Sequence, residues 1–171
     1  MKPPESPPNA FHVMTDQFIF QSHSESDTQQ LGERIGRAIA TGLTIALDGQ
    51  LGAGKTNLVR SICRGLDADA DLVNSPTFVL MQTYADGRLP VFHFDAYRLG
   101  DVDEFLAIGA EEYLHDDGIV CLIEWADIVR EVLPSDHLAI RIRHTGETSR
   151  EFAMSGSGAA SRAVVEAIAK G

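Results

Sequence analysis

An α/β fold, with a central and largely parallel sheet flanked by helices and antiparallel hairpins added to it, is predicted by three features of the 171-residue sequence. Ile119-Val120-Cys121-Leu122-Ile123 is apolar at every position, as a strand covered on both faces must be. Segments with helical spacing alternate with short strand-like runs. Two turn signals, Asp86-Gly87 and Thr145-Gly146-Glu147, each separate a pair of strand-like segments and mark hairpins.

Taken in order, the chain begins with Pro3, Pro4, Pro7 and Pro8, and polar residues dominate up to Gln30. Residues 1–14 are therefore expected to be a loose tail, and residues 18–20 an edge strand. Ser26 and Gln29 have capping-box spacing, and Leu31, Ile35 and Ile39 recur at helical intervals until Gly42 supplies a stop. Residues 43–47 read as a buried strand and 56–66 as a helix. Residues 78–84 and 89–94 form the first hairpin, the acidic stretch 101–114 favours helix, and 119–123 is the central strand. Residues 137–143 and 149–154 alternate as a second hairpin, a Gly/Ser linker spans 155–158, and a last amphipathic helix spans 161–170. The expected division is a polar tail over 1–23, a domain over 24–154, and a linker with a helix packed on that domain over 155–171.

Composition narrows the classes of function. Lys and Arg total 14 against 25 Asp and Glu, a net charge of −11, which argues against a broad basic face for nucleic acid and against attraction to anionic membranes. No run approaches the roughly 18 apolar residues of a membrane span, and no basic region followed by an apolar one opens the chain, so a cytoplasmic protein is expected. Cys63 and Cys121 lie in apolar-patterned segments, as buried thiols do.

Gly49-Gln50-Leu51-Gly52-Ala53-Gly54-Lys55-Thr56 fits the phosphate-loop pattern G-x-x-x-x-G-K-[ST], directly after a strand-like run and before a helix-like one. Glycines let successive N–H groups turn inward as an anion nest, and the following helix adds its positive end. Lys55 then lies between β- and γ-phosphates, and the Thr56 hydroxyl completes a Mg²⁺ shell filled by phosphate and water. Glycine usage makes a chance match in a chain this long about a one-in-a-hundred event, before strand and helix context is demanded.

Such a loop needs a carboxylate for the metal's water shell and a group to orient the attacking water. Asp95 and Glu124 each end a strand-like run, where ligands of open α/β sheets bind. Glu124, on the more apolar strand, is assigned to the metal and Asp95 to water or base; the exchanged roles are the alternative. In Ser75-Pro76-Thr77-Phe78, a switch-like loop carries Thr77 toward the γ-phosphate, or a proline turn simply opens a strand. His93 and Arg98 flank Asp95 and read as a packing histidine and an ion-pairing arginine, while Trp125 packs at the edge of the site.

Asp48-Gly49-x-Leu51-Gly52-Ala53-Gly54-Lys55-Thr56, then Ser75-Pro76-Thr77-Phe78, His93-x-Asp95-x-Tyr97-Arg98-Leu99 and Ile123-Glu124-Trp125, in that order over residues 24–154, resemble the TsaE (formerly YjeE) family. These are bacterial ATPases of tRNA threonylcarbamoyladenosine synthesis. The resemblance implies a P-loop NTPase fold, Mg²⁺-dependent ATP hydrolysis, and a complex with the subunits TsaB and TsaD. That pair modifies adenosine 37 of tRNAs reading codons that begin with A, so tRNA is met through the complex. Phosphate and Mg²⁺ roles fall on Leu51, Gly52, Ala53, Gly54, Lys55 and Thr56, the acidic active-site role on Asp95, and a second metal-shell role on Glu124. Further nucleotide contacts fall on Glu25 and Arg150. Asn57 stands where the family often repeats threonine.

The rivals are a P-loop small-molecule kinase and a nucleotide-dependent binding module with negligible turnover. The acidic stretch over residues 101–117 is a poor lid for an anionic acceptor, which disfavours the kinase. No Asn/Thr-Lys-x-Asp base-reading motif supports a GTPase, and no Leu-Ser-Gly-Gly-Gln signature supports an ABC subunit. No arginine finger is assigned; Arg60 and Arg98 are the candidates.

Overall fold

Seven strands form one mixed sheet in a computed structural model that describes residues 17–171. The strands are β1 (Phe18–Ser22), β2 (Leu43–Gly49), β3 (Met81–Tyr84), β4 (Val91–Asp95), β5 (Val120–Glu124), β6 (His137–His144) and β7 (Arg150–Gly156). Their order is β1-β7-β6-β2-β5-β4-β3. The middle four, β6, β2, β5 and β4, are mutually parallel, and antiparallel pairs close both margins. The helices are α1 (Glu25–Ala38), α2 (Lys55–Gly65), α3 (Val102–Ala107), α4 (Glu111–Leu114) and α5 (Ala159–Ala169), with 3₁₀ segments at Ala70–Leu72 and Ala126–Val132.

Each face of the sheet has its own core. Ile45 and Leu47 of β2, Leu122 of β5 and Phe152 of β7 pack with Leu31 and Ile35 of α1, Leu58 and Ile62 of α2, and Val164 and Ile168 of α5. On the other face Ala46, Cys121, Ile123 and Phe94 meet Phe105 of α3, Leu114 of α4 and Val129. All five β5 residues are buried, which is why that strand shows no alternation in sequence.

Several boundaries differ from those expected. The first helix starts at Glu25 because Ser24, not Ser26, is its cap: Ser24 Oγ accepts from the Asp27 N–H (3.1 Å) and Asp27 Oδ2 from the His23 N–H (2.8 Å). It ends at Ala38. Gly42 stops nothing; its N–H donates to the Asp117 carbonyl, and a side chain there would strike the backbone of residues 116–119. Residues 78–80 are not strand, since Leu80 takes φ +67° and its N–H turns back to the Pro76 carbonyl (2.6 Å). Gly109, at φ +83°, breaks the acidic helix into α3 and α4. The expected 155–158 linker is instead the end of β7 followed directly by α5, whose first turn is capped by Asp136 through the Ala160 and Ser161 N–H groups. The edge strand is present and runs to Ser22, and the expected tail over 1–14 lies outside the described residues.

The site-bearing helix α2 is held by backbone-close packing on α1. A Cβ on Gly36 would come within 3.0 Å of the Ile62 carbonyl and the Gly65 backbone, and one on Gly32 would overlap the Ser61 side chain. At an open helical position Gly→Ala stabilises by about 1 kcal/mol. Here Gly36→Ala is expected to destabilise by about 1–3 kcal/mol, because rigid backbone must be displaced. Urea unfolding checks this by a lower midpoint at unchanged slope; a midpoint at or above the parent value would refute the contact.

Candidate functional site

Parallel alignment of β2, β5 and β4 brings three strand ends to one edge. Leu47 pairs with Glu124, and Glu124 with Asp95, so the two carboxylates sit side by side where β2 runs into the glycine-rich turn. That turn leads from Gly49 to α2, and Gly54, at φ +104°, sits immediately before the helix as a residue with a side chain rarely does. Among the described residues no side chain caps the first turn of α2, which leaves its N–H groups available to an anion.

Lys55 is 4% exposed. Its Nζ donates to the carbonyls of Gly49 (2.6 Å) and Gln50 (3.0 Å) and lies 4.0 Å from the centroid of the Trp125 ring. Trp125 is held in the left-handed region (φ +58°), where the Asp127 N–H two residues on donates to Asp48 Oδ1 (2.9 Å). The Thr56 hydroxyl donates to Glu124 Oε1 (2.7 Å), and His93 Nε2 reaches the same oxygen at 2.8 Å. Asp95 accepts from the Thr77 hydroxyl on Oδ2 (2.7 Å) and from the Tyr97 N–H on Oδ1 (2.8 Å), and Ser75 bonds Thr77 at 2.6 Å.

Of the residues expected from sequence, Leu51, Gly52, Gly54, Lys55, Thr56, Thr77, Asp95 and Glu124 line one cavity of about 270 Å³. Ala53 is buried behind the loop, and its carbonyl accepts from Arg150 Nε (3.0 Å). Arg150 therefore braces the loop rather than lining the cavity. Glu25, the first residue of α1, does not line it either; β1, leading into α1, pairs Ser22 with Arg150. Arg60 is tied to Asn57 and the Val73 carbonyl, and Arg98 stacks over the Phe78 ring at 4.2 Å and pairs with no acid among the described residues. A larger cavity of about 490 Å³ lies beyond Trp125 against Arg141 and His144, and among the phosphate-loop residues it is lined by Gly49 and Gln50.

Sequence reasoning passed over His93 as packing, yet it bonds the carboxylate one strand away. The signal was the two-residue step from His93 to Asp95, which in a strand puts both side chains on one face. Tyr97 was missed because it contributes a backbone N–H, which no residue type announces.

A family model described as "Threonylcarbamoyl adenosine biosynthesis protein TsaE" matches residues 22–152. A tRNA threonylcarbamoyladenosine biosynthesis protein TsaE of Bacillus subtilis is 37% identical over 142 residues, covering 83% of this chain and 87% of the relative. A protein of the same name from Treponema pallidum is 38% identical over 131 residues, 77% of this chain and 95% of its own. The solved structure of Bacillus subtilis YdiB superposes with a TM-score of 0.72 at 30% identity, over 91% of this chain and 95% of that one.

Burial lowers the Lys55 pKa, against the pull of Glu124, Asp95 and Asp48. It raises that of Asp48, offset by the Asp127 N–H and reinforced by the Asp127 carboxylate. A carboxyl whose folded pKa is raised contributes stability below its unfolded value, about 3.9, and loses it as pH climbs through the folded value. Asp48→Asn keeps an oxygen for the Asp127 N–H without the charge. Its melting temperature is expected to exceed the parent's by a few degrees at neutral pH, with the gap closing below about pH 4; a gap constant with pH would contradict this origin.

Proposed function

The chain belongs to the TsaE family of tRNA threonylcarbamoyladenosine biosynthesis proteins, and on that premise we propose a P-loop ATPase that hydrolyses Mg²⁺·ATP during modification of adenosine 37 of tRNA. Residues 24–154 are the ATPase unit, with 155–171 attached to it. The observation that carries the reading is the convergence on one cavity of an uncapped helix start, Lys55, the Thr56–Glu124 pair and the Thr77–Asp95 pair.

The donor set fits Mg²⁺. Thr56 Oγ1 and Glu124 Oε2 are hard oxygens held together by the 2.7 Å bond from the Thr56 hydroxyl to Glu124 Oε1, and among the described residues no group of three His, Cys, Asp or Glu forms an all-protein metal cage. Mg²⁺ favours such a sparse site, keeping waters and binding substrate phosphates. When bound it neutralises charge on β- and γ-phosphate oxygens. The N–H groups opening α2 and the glycine turn receive the phosphates, and the Lys55 ammonium leaves its two carbonyls for phosphate oxygens. Asp95, its oxygens fixed by Thr77 and Tyr97, orients the attacking water and takes its proton. Arg150 supports the nucleotide by bracing Ala53.

Around the cavity Leu51, Phe78 and Tyr97 are exposed, Phe78 by 81%, and an apolar rim of this kind suits a covering protein. TsaB and TsaD are the proposed partners, with tRNA reached through them in the cytoplasm.

Three outcomes are expected. Calorimetry should show ATP and ADP binding in preference to GTP. Lys55→Ala should lose about 10²–10³-fold in turnover and lack the ATP-induced change in Trp125 emission expected of the parent; full activity would refute the loop assignment. Phosphate release should be slow alone and faster with TsaB and TsaD, and equal rates would remove the partner role.

A further inference from the structure

We infer that His93, backed by Tyr84, is the positioning residue that holds Glu124 in its metal-binding orientation; the inference rests on the Mg²⁺·ATP reading above. His93 is fully buried, in register with Leu122 of β5, and it stands on the same face of β4 as Asp95. Both ring nitrogens are engaged. Nε2 lies 2.8 Å from Glu124 Oε1, and Nδ1 lies 3.2 Å from the Tyr84 hydroxyl, which is also 2.7 Å from Gln82 Oε1.

An ionised carboxylate only accepts hydrogen bonds, so Nε2 carries its proton toward Glu124 and Nδ1 is left as an acceptor; the Tyr84 hydroxyl has one proton to place between Nδ1 and Gln82 Oε1, and by giving it to Nδ1 it fixes the ring from behind. Thr56 reaches the same Oε1 from the start of α2. Two donors arriving from different elements spend that oxygen inside the protein. Oε2 receives no protein donor among the described residues, and Glu124 lines the cavity, so Oε2 is the oxygen available to a cation's water shell. Of the two donors, Thr56 belongs to the cavity wall, whereas His93 is anchored in the sheet. Loss of such an outer-shell bond weakens metal binding about 10–100-fold, and it leaves phosphate contacts from the glycine turn in place.

The test is ATP binding by calorimetry at stepped Mg²⁺ concentrations, with ADP binding in EDTA as the control, on His93→Leu, His93→Gln and Tyr84→Phe. His93→Leu is expected to raise the Mg²⁺ needed for half-maximal tightening about tenfold or more while metal-free ADP affinity is unchanged. His93→Gln, whose amide still donates toward Oε1, should recover most of the loss, and Tyr84→Phe should shift in the same direction by less. Unaltered Mg²⁺ dependence in His93→Leu overturns the inference, as does a parallel loss of metal-free ADP binding in both His93 variants. If His93→Leu does not fold, Tyr84→Phe decides: an unaltered Mg²⁺ requirement there overturns it. A parent chain that binds ATP without any Mg²⁺ dependence overturns the functional reading itself.

Discussion

Glu124 Oε1 receives hydrogen bonds from Thr56 at the start of α2 and from His93 in β4, so one buried oxygen joins a helix and two neighbouring strands at the edge of the sheet. Much else follows from that junction. It requires β4 and β5 to be parallel and in register, which places Asp95 beside Glu124, and it requires α2 to begin where β2 ends, which sets the glycine turn above both. A carboxylate this buried is tolerated only with donors around it, and the sheet and α2 supply one each before any ligand arrives.

The parts of this arrangement that the sequence announced are those encoded by residue type. The glycine turn, the fully apolar β5 and the two hairpins were legible because glycine, unbroken apolar runs and Asp-Gly each have one strong structural meaning. Helix starts were less legible: Ser24 and Ser26 are chemically equal candidates, and the choice fell to Ser24 because Asp27 returns a bond to the His23 N–H. Within 101–114 the helical pattern was read through Gly109, whose left-handed backbone splits the helix. At the site, Lys55, Thr56 and the two carboxylates were legible by motif. The His93 bond was not, because it depends on pairing between segments distant in sequence, and neither was the bracing role of Arg150, which acts on a backbone carbonyl.

The charge of −11 acquires a spatial meaning. Arg143 is neutralised by Glu151 and Arg130 by Asp127, while Arg150 is spent on the loop backbone. The cationic character that remains at the cavity is contributed by Lys55 and oriented N–H groups, a local attraction for phosphate within an acidic surface. Such a surface fits the proposed function, in which the nucleotide is bound here and tRNA is met through partner subunits.

The glycine-lined contact between α1 and α2 decides where this molecule can yield. With backbones touching at Gly32, Gly36 and Gly65, neither helix can slide or roll without prising the other away, so the two behave as a single stiff plate carrying Thr56 at its rim. The opposite wall, the Ser75–Leu80 stretch, has no such packing: Phe78 and Val79 face solvent and Leu80 turns left-handed. The cavity is thus bounded by two walls of different kind, one of interlocked helix backbone and one an exposed loop tied down through Thr77 to Asp95.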